Sequence, residues 1–161
     1  MNKFKLDKKL ANDCFFIDNL HLSQLLLMND SNYLWLILVP RKNNVTEIID
    51  LAFSEQQILL KEINLISHII KNDFTYHKLN IAALGNVVKQ LHIHIIGRQE
   101  NDASYPKPIW GNAPTKPYTA DKSQQIIDSI KKLLNQQIKQ DRKSTRLNSS
   151  HSQQSRMPSS A

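Results

Sequence analysis

The sequence predicts an α+β domain: a mainly antiparallel sheet of about five strands, a long helix between the third and fourth strands, and a C-terminal helix. Three observations lead there. Three short aliphatic runs bounded by turn residues come first. A stretch with apolar residues at three- and four-residue spacing follows, then two more short runs and a final amphipathic stretch. Strands and helices segregated in this way favour an antiparallel sheet with helices packed on it.

CFFID (14 to 18) and LSQLLLM (22 to 28) are separated by Asn19 and His21, which predicts two strands with a tight connection. YLWLILVP, 33 to 40, is a third strand, entered through Asn29, Asp30, Ser31 and Asn32 and closed by Pro40. A short helical turn is expected over 45 to 51. From Ser54 to about Lys71, Ile58, Leu59, Ile63, Ile66, Ile69 and Ile70 define one helical face, with Ser54 and Gln57 as a capping box. KLNIAAL (78 to 84) and KQLHIHII (89 to 96) predict two strands around Gly85-Asn86, a hairpin turn signal. Residues 105 to 117, with four prolines, should be irregular. The last helix is expected from about Asp121 to Gln140, burying Ile126, Ile127, Ile130, Leu133, Leu134 and Ile138.

With 161 residues the chain is long enough for one domain with its own core, assigned to 1–140. The single cysteine, Cys14, is read as a small core side chain and suits a reducing, cytoplasmic setting. The charged N-terminus lacks a secretory h-region, and the apolar run at 33 to 39 is far short of a membrane span. The formal net charge of +7 is partly local, since Arg142, Lys143, Arg146 and Arg156 stand against Asp141 alone in the last 21 residues. The mildly basic remainder fits a solvated surface or a pocket for a small anion better than a nucleic-acid track. Residues 141–161 are serine-rich and nearly devoid of apolar side chains, which predicts a disordered tail. The strings DRKSTRLNSSH and SRMPSSA resemble translated sequencing adapters, so the tail is read as an adapter-derived artefact.

Chemistry concentrates in VVKQLHIHIIGR, 87 to 98. Strand alternation puts Gln90, His92 and His94 on one side, and Leu91, Ile93 and Ile95 on the other. Imidazole has a pKa of about 6.5, so near pH 7 it offers a neutral nucleophilic nitrogen suited to phosphoryl or nucleotidyl transfer. The turn before the strand can add backbone N–H donors, and Arg98 and Arg41 can add positive field. Two alternatives stand beside this reading. The histidines could simply be solvated, or they could hold a metal with His68, His77 or a carboxylate as a further ligand.

GNVVKQLHIHIIGR resembles the signature of the histidine triad nucleotide hydrolases and transferases, three histidines alternating with hydrophobic residues after a glycine-containing turn. YLWLILVPRK is similar to that family's proline-ending strand and KLNIAALGN to its strand entering the signature, so the likeness covers roughly residues 14 to 111. The resemblance implies a HIT-like fold, commonly a homodimer. It implies attack on the α-phosphate of a dinucleoside polyphosphate or nucleoside phosphoramidate through a nucleotidyl-histidine intermediate. His92 matches the nucleophile and His94 the phosphate-contacting histidine. Gln90 replaces the first histidine, a variant similar to a bacterial branch resembling diadenosine tetraphosphate hydrolases; a glutamine amide still donates and accepts.

By the same resemblance Asn86 falls at a phosphate-facing position and Asp30 near the ribose-binding acid. Either could instead be a turn residue. Trp35 stands where some relatives carry an extra histidine and is read as core, and Trp110 as packing against the sheet or stacking on a base. No cofactor is required, although Mg²⁺ could accompany a polyphosphate. The partner expected is a small nucleotide, neither nucleic acid nor membrane. Two further functions stay open: a nucleotide-binding module with little turnover, and a metal-dependent hydrolase.

Overall fold

The computed structural model describes residues 3 to 154. Its elements are α1 (Lys8–Asp13), β1 (Cys14–Asn19), β2 (Ser23–Met28), β3 (Leu34–Pro40), α2 (Phe53–His68), β4 (Lys78–Ala82), β5 (Ile93–Arg98) and α3 (Ala120–Gln154). The α+β class and the five-stranded antiparallel sheet are as the sequence predicts. The strands lie in the order β1-β2-β3-β5-β4, so β5 sits beside β3 and β4 takes an edge.

Every residue of β3 is buried, because both faces of the sheet are covered. Leu34, Leu36 and Leu38 join Leu25, Leu27, Ile93 and Ile95 on one face. That face meets Leu59 and Ile66 of α2 and Ile127, Ile130 and Leu134 of α3. Tyr33, Trp35, Ile37 and Val39 join Leu26 and Ile96 on the opposite face, under Leu10, Val88 and Ile109. The unbroken apolar run of β3 is thus the sum of two alternating rows.

Helix α2 starts slightly before its predicted position. Its cap is Ala52, whose backbone N–H donates to Glu55 Oε2 at 3.0 Å, rather than the expected Ser54 and Gln57 pair. Its buried Glu62 accepts at Oε1 from the Leu22 amide at 2.6 Å, tying the helix to the β1–β2 connection. At its end the helix widens into a π turn over Ile69–Asp73. Ile70 and Tyr76 then close over Gly97, where an added Cβ would lie 2.6 Å from the Tyr76 ring and 2.8 Å from Ile70.

The structure differs from the sequence reading at three places. α1 lacks a long apolar repeat and has no counterpart in the sequence reading; Asp7 caps it by accepting from the Lys9 amide at 2.8 Å, and only Leu10 is buried. Gly85-Asn86 does not close a two-residue hairpin, because β4 ends at Ala82 and β5 begins at Ile93. Gly85 adopts φ of +69°, but residues 83 to 92 form a long loop over the sheet. Finally, α3 does not stop near Gln140 but continues through the supposed disordered tail to Gln154. Residues 141 to 151 are exposed, as their composition implies, yet Arg142, Lys143, Arg146 and Leu147 there tolerate helix well. The hydroxyls of Ser144, Thr145, Ser149 and Ser150 donate back to carbonyls three or four residues earlier. The last residues of that tail, 155 to 161, lie outside the described residues.

Arg98 ends β5 as a buried cation, 2% exposed. It donates to both Asp102 carboxylate oxygens at 2.7 and 3.0 Å, to Asn80 Oδ1 at 2.7 Å and to the Lys107 carbonyl at 2.9 Å. The rings of Tyr33 and Tyr105 lie 5.8 and 5.7 Å from it. Arg98 therefore fastens the loop after β5 to the sheet. Burial alone would raise the Asp102 carboxyl, but Arg98 and the amides of Ser104, Gln99 and Tyr105 outweigh it and hold the group at about 2.

Asp102→Asn leaves Arg98 buried without its counter-charge and should lower stability by about 3 kcal/mol, measured by urea unfolding at pH 7. An unfolded aspartate titrates near 3.9, so the carboxylate's contribution is complete above about pH 4 and is lost as pH falls toward about 2. The variant should lack that component of acid destabilisation. Equal urea midpoints for the two proteins at pH 7 would contradict this role.

Candidate active site

The β3–β5 register sets the site. Ile37 pairs with His94 and Trp35 with Ile96, which makes Trp35 the diagonal neighbour of His94 on one face. The Trp35 indole Nε1–H donates to His94 Nδ1 at 2.9 Å. An indole nitrogen only donates, so Nδ1 is the unprotonated nitrogen of His94 and Nε2 carries the hydrogen. Burial, reinforced by the neighbouring His92, pushes the His94 pKa down to about 3. His94 is accordingly a neutral Nε2–H donor at physiological pH.

His92 takes the opposite tautomer. Its Nδ1 lies 2.7 Å from the Gln90 backbone carbonyl, which only accepts, so Nδ1 bears the hydrogen and Nε2 keeps its lone pair. The two rings meet edge to face with centroids 4.8 Å apart, at 7% and 4% exposure. One imidazole offers an electron pair and the other a hydrogen.

Both histidines line a hollow of about 330 Å³ whose walls include Leu10, Met28, Val88, Trp35 and Trp110. This volume and apolar lining are those of a small-molecule site. Larger grooves exist, including one along the exposed end of α3, but none of them contains either histidine. Trp110 stands edge-on to Trp35 at 6.0 Å and to His94 at 5.2 Å, so it packs on the site face and lines the hollow as well. Lys9 and Asp13 of α1 reach the same hollow and pair with each other at 2.9 Å.

The other expected site residues divide. Asn86 lines the hollow from the loop preceding β5. Asp30 does not: it is buried, accepting at Oδ1 from the amides of Asn32 at 3.1 Å and Lys116 at 3.2 Å, and fixes a turn. Arg98 is likewise committed to Asp102, Asn80 and Lys107 rather than presented to a phosphate. Arg41 donates to the carbonyls of Leu20, His21 and Leu22 in the β1–β2 connection. His68 contacts Asn72, and His77 contacts Gln99. Among the described residues no group of three His, Cys, Asp or Glu side chains is placed to hold a metal.

Gln90 requires the main correction. The ladder begins at Ile93, so strand alternation does not carry the Gln90 side chain to the histidine face. Its Oε1 accepts from the Asp7 amide at 2.9 Å and its Nε2 donates to the Lys5 carbonyl at 3.0 Å. The side chain clamps the N-terminal segment, which brings Leu10 over the sheet; only its backbone carbonyl serves His92. Trp35 and α1 are the residues the sequence reading missed. Trp35 shares the parity of Ile37, opposite His94, but that signal appears only once β3 and β5 are paired.

A five-stranded antiparallel sheet covered on both faces, with two opposed imidazoles at the start of its fifth strand in the chain, is the architecture of a histidine triad protein. The HIT domain model matches residues 9–101, and the chain belongs to the HIT domain family. It is similar to a histidine triad protein from Bradyrhizobium japonicum at 41% identity, over 81% of this chain and 98% of that one, with a TM-score of 0.79. A histidine triad protein from Marinobacter aquaeolei is 39% identical over 84% and 98% of the two chains, with a TM-score of 0.81. The fold is shared with a diadenosine triphosphate hydrolase from Plasmodium falciparum at 21% identity, over 84% and 86% of the chains, with a TM-score of 0.56. No curated protein matches this chain.

Because Gln90 holds the N-terminal segment through two hydrogen bonds, Gln90→Ala should loosen residues 3 to 13 while the sheet stays intact. Amide exchange at Asp7 should accelerate about tenfold, the equivalent of 1.4 kcal/mol for the lost bonds. Unchanged exchange at Asp7 would show that the clamp does not hold the segment.

Proposed function

We propose that the protein is a nucleotidyl hydrolase acting at the α-phosphate of a dinucleoside polyphosphate or nucleoside phosphoramidate. The observation that carries this reading is the tautomer of His92. Its Nδ1–H is held by the Gln90 carbonyl, so the Nε2 lone pair is available within an enclosed apolar hollow. Nε2 forms a bond to the α-phosphorus as the bond to the leaving group breaks, giving a nucleotidyl-histidine. Water then attacks the same phosphorus, the bond to Nε2 breaks, and the mononucleotide leaves with a proton released to solvent.

His94 Nε2–H donates to an oxygen of the transferring phosphate and stabilises the charge that gathers there. Asn86 reaches the phosphate chain from the loop, and Trp110, Met28 and Leu10 flank the nucleoside. Gln90 serves through its backbone carbonyl, and its side chain keeps the N-terminal wall in place. Imidazole itself supplies the nucleophile, so Mg²⁺ enters as the counter-ion of a polyphosphate substrate. The proposal extends to a homodimer: β4 is a sheet edge, and its Ile81 is 49% exposed. A reducing cytoplasm suits the free Cys14.

The test is to trap a nucleotidyl adduct by rapid quench with adenine-labelled diadenosine tetraphosphate. Wild type should form a stoichiometric adduct on His92, and His92→Ala should form none and lose at least about 10³-fold in kcat, as expected for removal of a nucleophile. Equal turnover by the two proteins would refute the mechanism. Saturable binding of the dinucleotide without any product would instead favour a nucleotide-binding module.

A further inference from the structure

From the nucleotidyl-transfer reading and the bond between Trp35 and His94, we infer that Trp35 selects the leaving group: the site favours phosphoric anhydrides over phosphoramidates. The argument is a count of protons. A polyphosphate leaves phosphorus as an oxyanion, taking the electron pair of the broken P–O bond and needing no proton. An alkylamine leaving phosphorus must be protonated on nitrogen as the P–N bond breaks, otherwise it departs as a strongly basic amide anion. Anhydride cleavage therefore needs a nucleophile and hydrogen-bond donors, whereas phosphoramidate cleavage also needs an acid.

The hollow holds the nucleophile and the donors but not the acid. His92 attacks through Nε2, so that nitrogen cannot carry a proton to deliver, and its Nδ1–H is engaged by the Gln90 carbonyl. His94 would become an acid only as imidazolium, with hydrogen on both nitrogens. The Trp35 indole occupies Nδ1 as a donor at 2.9 Å, and protonating that nitrogen would set two N–H groups against each other in a buried contact. The neutral Nε2–H that remains is a hydrogen-bond donor with negligible acidity.

Among the described residues the other titratable groups facing the hollow are Lys9 and Asp13, both contributed by α1. They are paired with each other, 57% and 42% exposed, at the rim. Nothing in β3, the 83 to 92 loop or the segment around Trp110 adds another, since those contribute Trp35, Leu84, Gly85, Asn86, Val87, Val88 and Trp110 besides His92. Trp110 packs edge-on against both Trp35 and His94, so the indole has little freedom to release Nδ1. Trp35 is thus a positioning residue, acting on the substrate through His94.

The experiment compares kcat/KM for diadenosine tetraphosphate and for an adenosine 5′-phosphoramidate of a simple alkylamine. Wild type should prefer the anhydride by about 10²-fold or more, the usual contribution of a general acid. Trp35→Phe frees Nδ1, so the preference should narrow about tenfold. Its phosphoramidate rate should gain an acidic limb, rising as pH falls, but below the ordinary imidazole range near 6.5, because burial and His92 still hold the His94 pKa down. ¹⁵N shifts of His94 in the wild-type protein read the tautomer directly, whether or not the variant folds, and should report hydrogen on Nε2 alone down to pH 5. Comparable rates on the two substrates, or His94 with hydrogen on Nδ1, would overturn the inference while leaving nucleotidyl transfer intact. Failure to form an adduct with either substrate would overturn both.

Discussion

The pairing of β3 with β5 is the constraint on which the molecule depends. Both strands are buried on both faces, so their register decides which side chains enter the helical core and which enter the site. In the observed register Ile93 and Ile95 lie among the leucines under α2 and α3. His94 stands opposite Ile37 on the other face. A slip of one residue would drive an imidazole into the aliphatic core and turn isoleucines toward the hollow. The hydrophobic fit of one face thereby fixes the geometry of the candidate site on the other.

Each imidazole is then defined by a single strong partner of fixed polarity. A carbonyl can only accept and an indole N–H can only donate, so the two contacts leave His92 and His94 in opposite tautomers without any charged neighbour. A neutral partner suffices for His94 because its ring is buried, where an imidazolium is disfavoured. Charge is kept elsewhere. The fully engaged Arg98 cluster anchors the loop after β5, and the Lys9–Asp13 pair lies at the rim.

Gln90 illustrates why a motif's pattern and its geometry are separate facts. The residue types at 90, 92 and 94 alternate as in a strand, but hydrogen-bonded pairing begins only at Ile93. Before that point the chain belongs to the long loop, and its direction is set by contacts such as the Leu91 amide with the Val45 carbonyl at 2.9 Å. An amide side chain that leaves the histidine row is free to satisfy backbone groups near the N-terminus. The same logic applies to Asp30 and Arg98: each has the right chemistry for substrate, and each is consumed by backbone or loop partners.

Taken alone, the sequence determined the period of each element, because alternation and helical spacing record which side chains face a core. All five strands, α2 and most of α3 follow from that periodicity, as does the placing of His92 and His94 on one side, where both line the same hollow. It did not determine α1, whose six residues bury only Leu10 and whose position rests on a glutamine 83 positions from Asp7. Nor did it determine the end of α3, where backbone bonds extend a helix that no core supports. Only the tertiary structure decided that Trp35, 59 residues from His94, would set the proton on that ring. Periodicity reports burial along a segment, whereas a tautomer depends on which atom of a distant segment arrives, and that is settled by strand register.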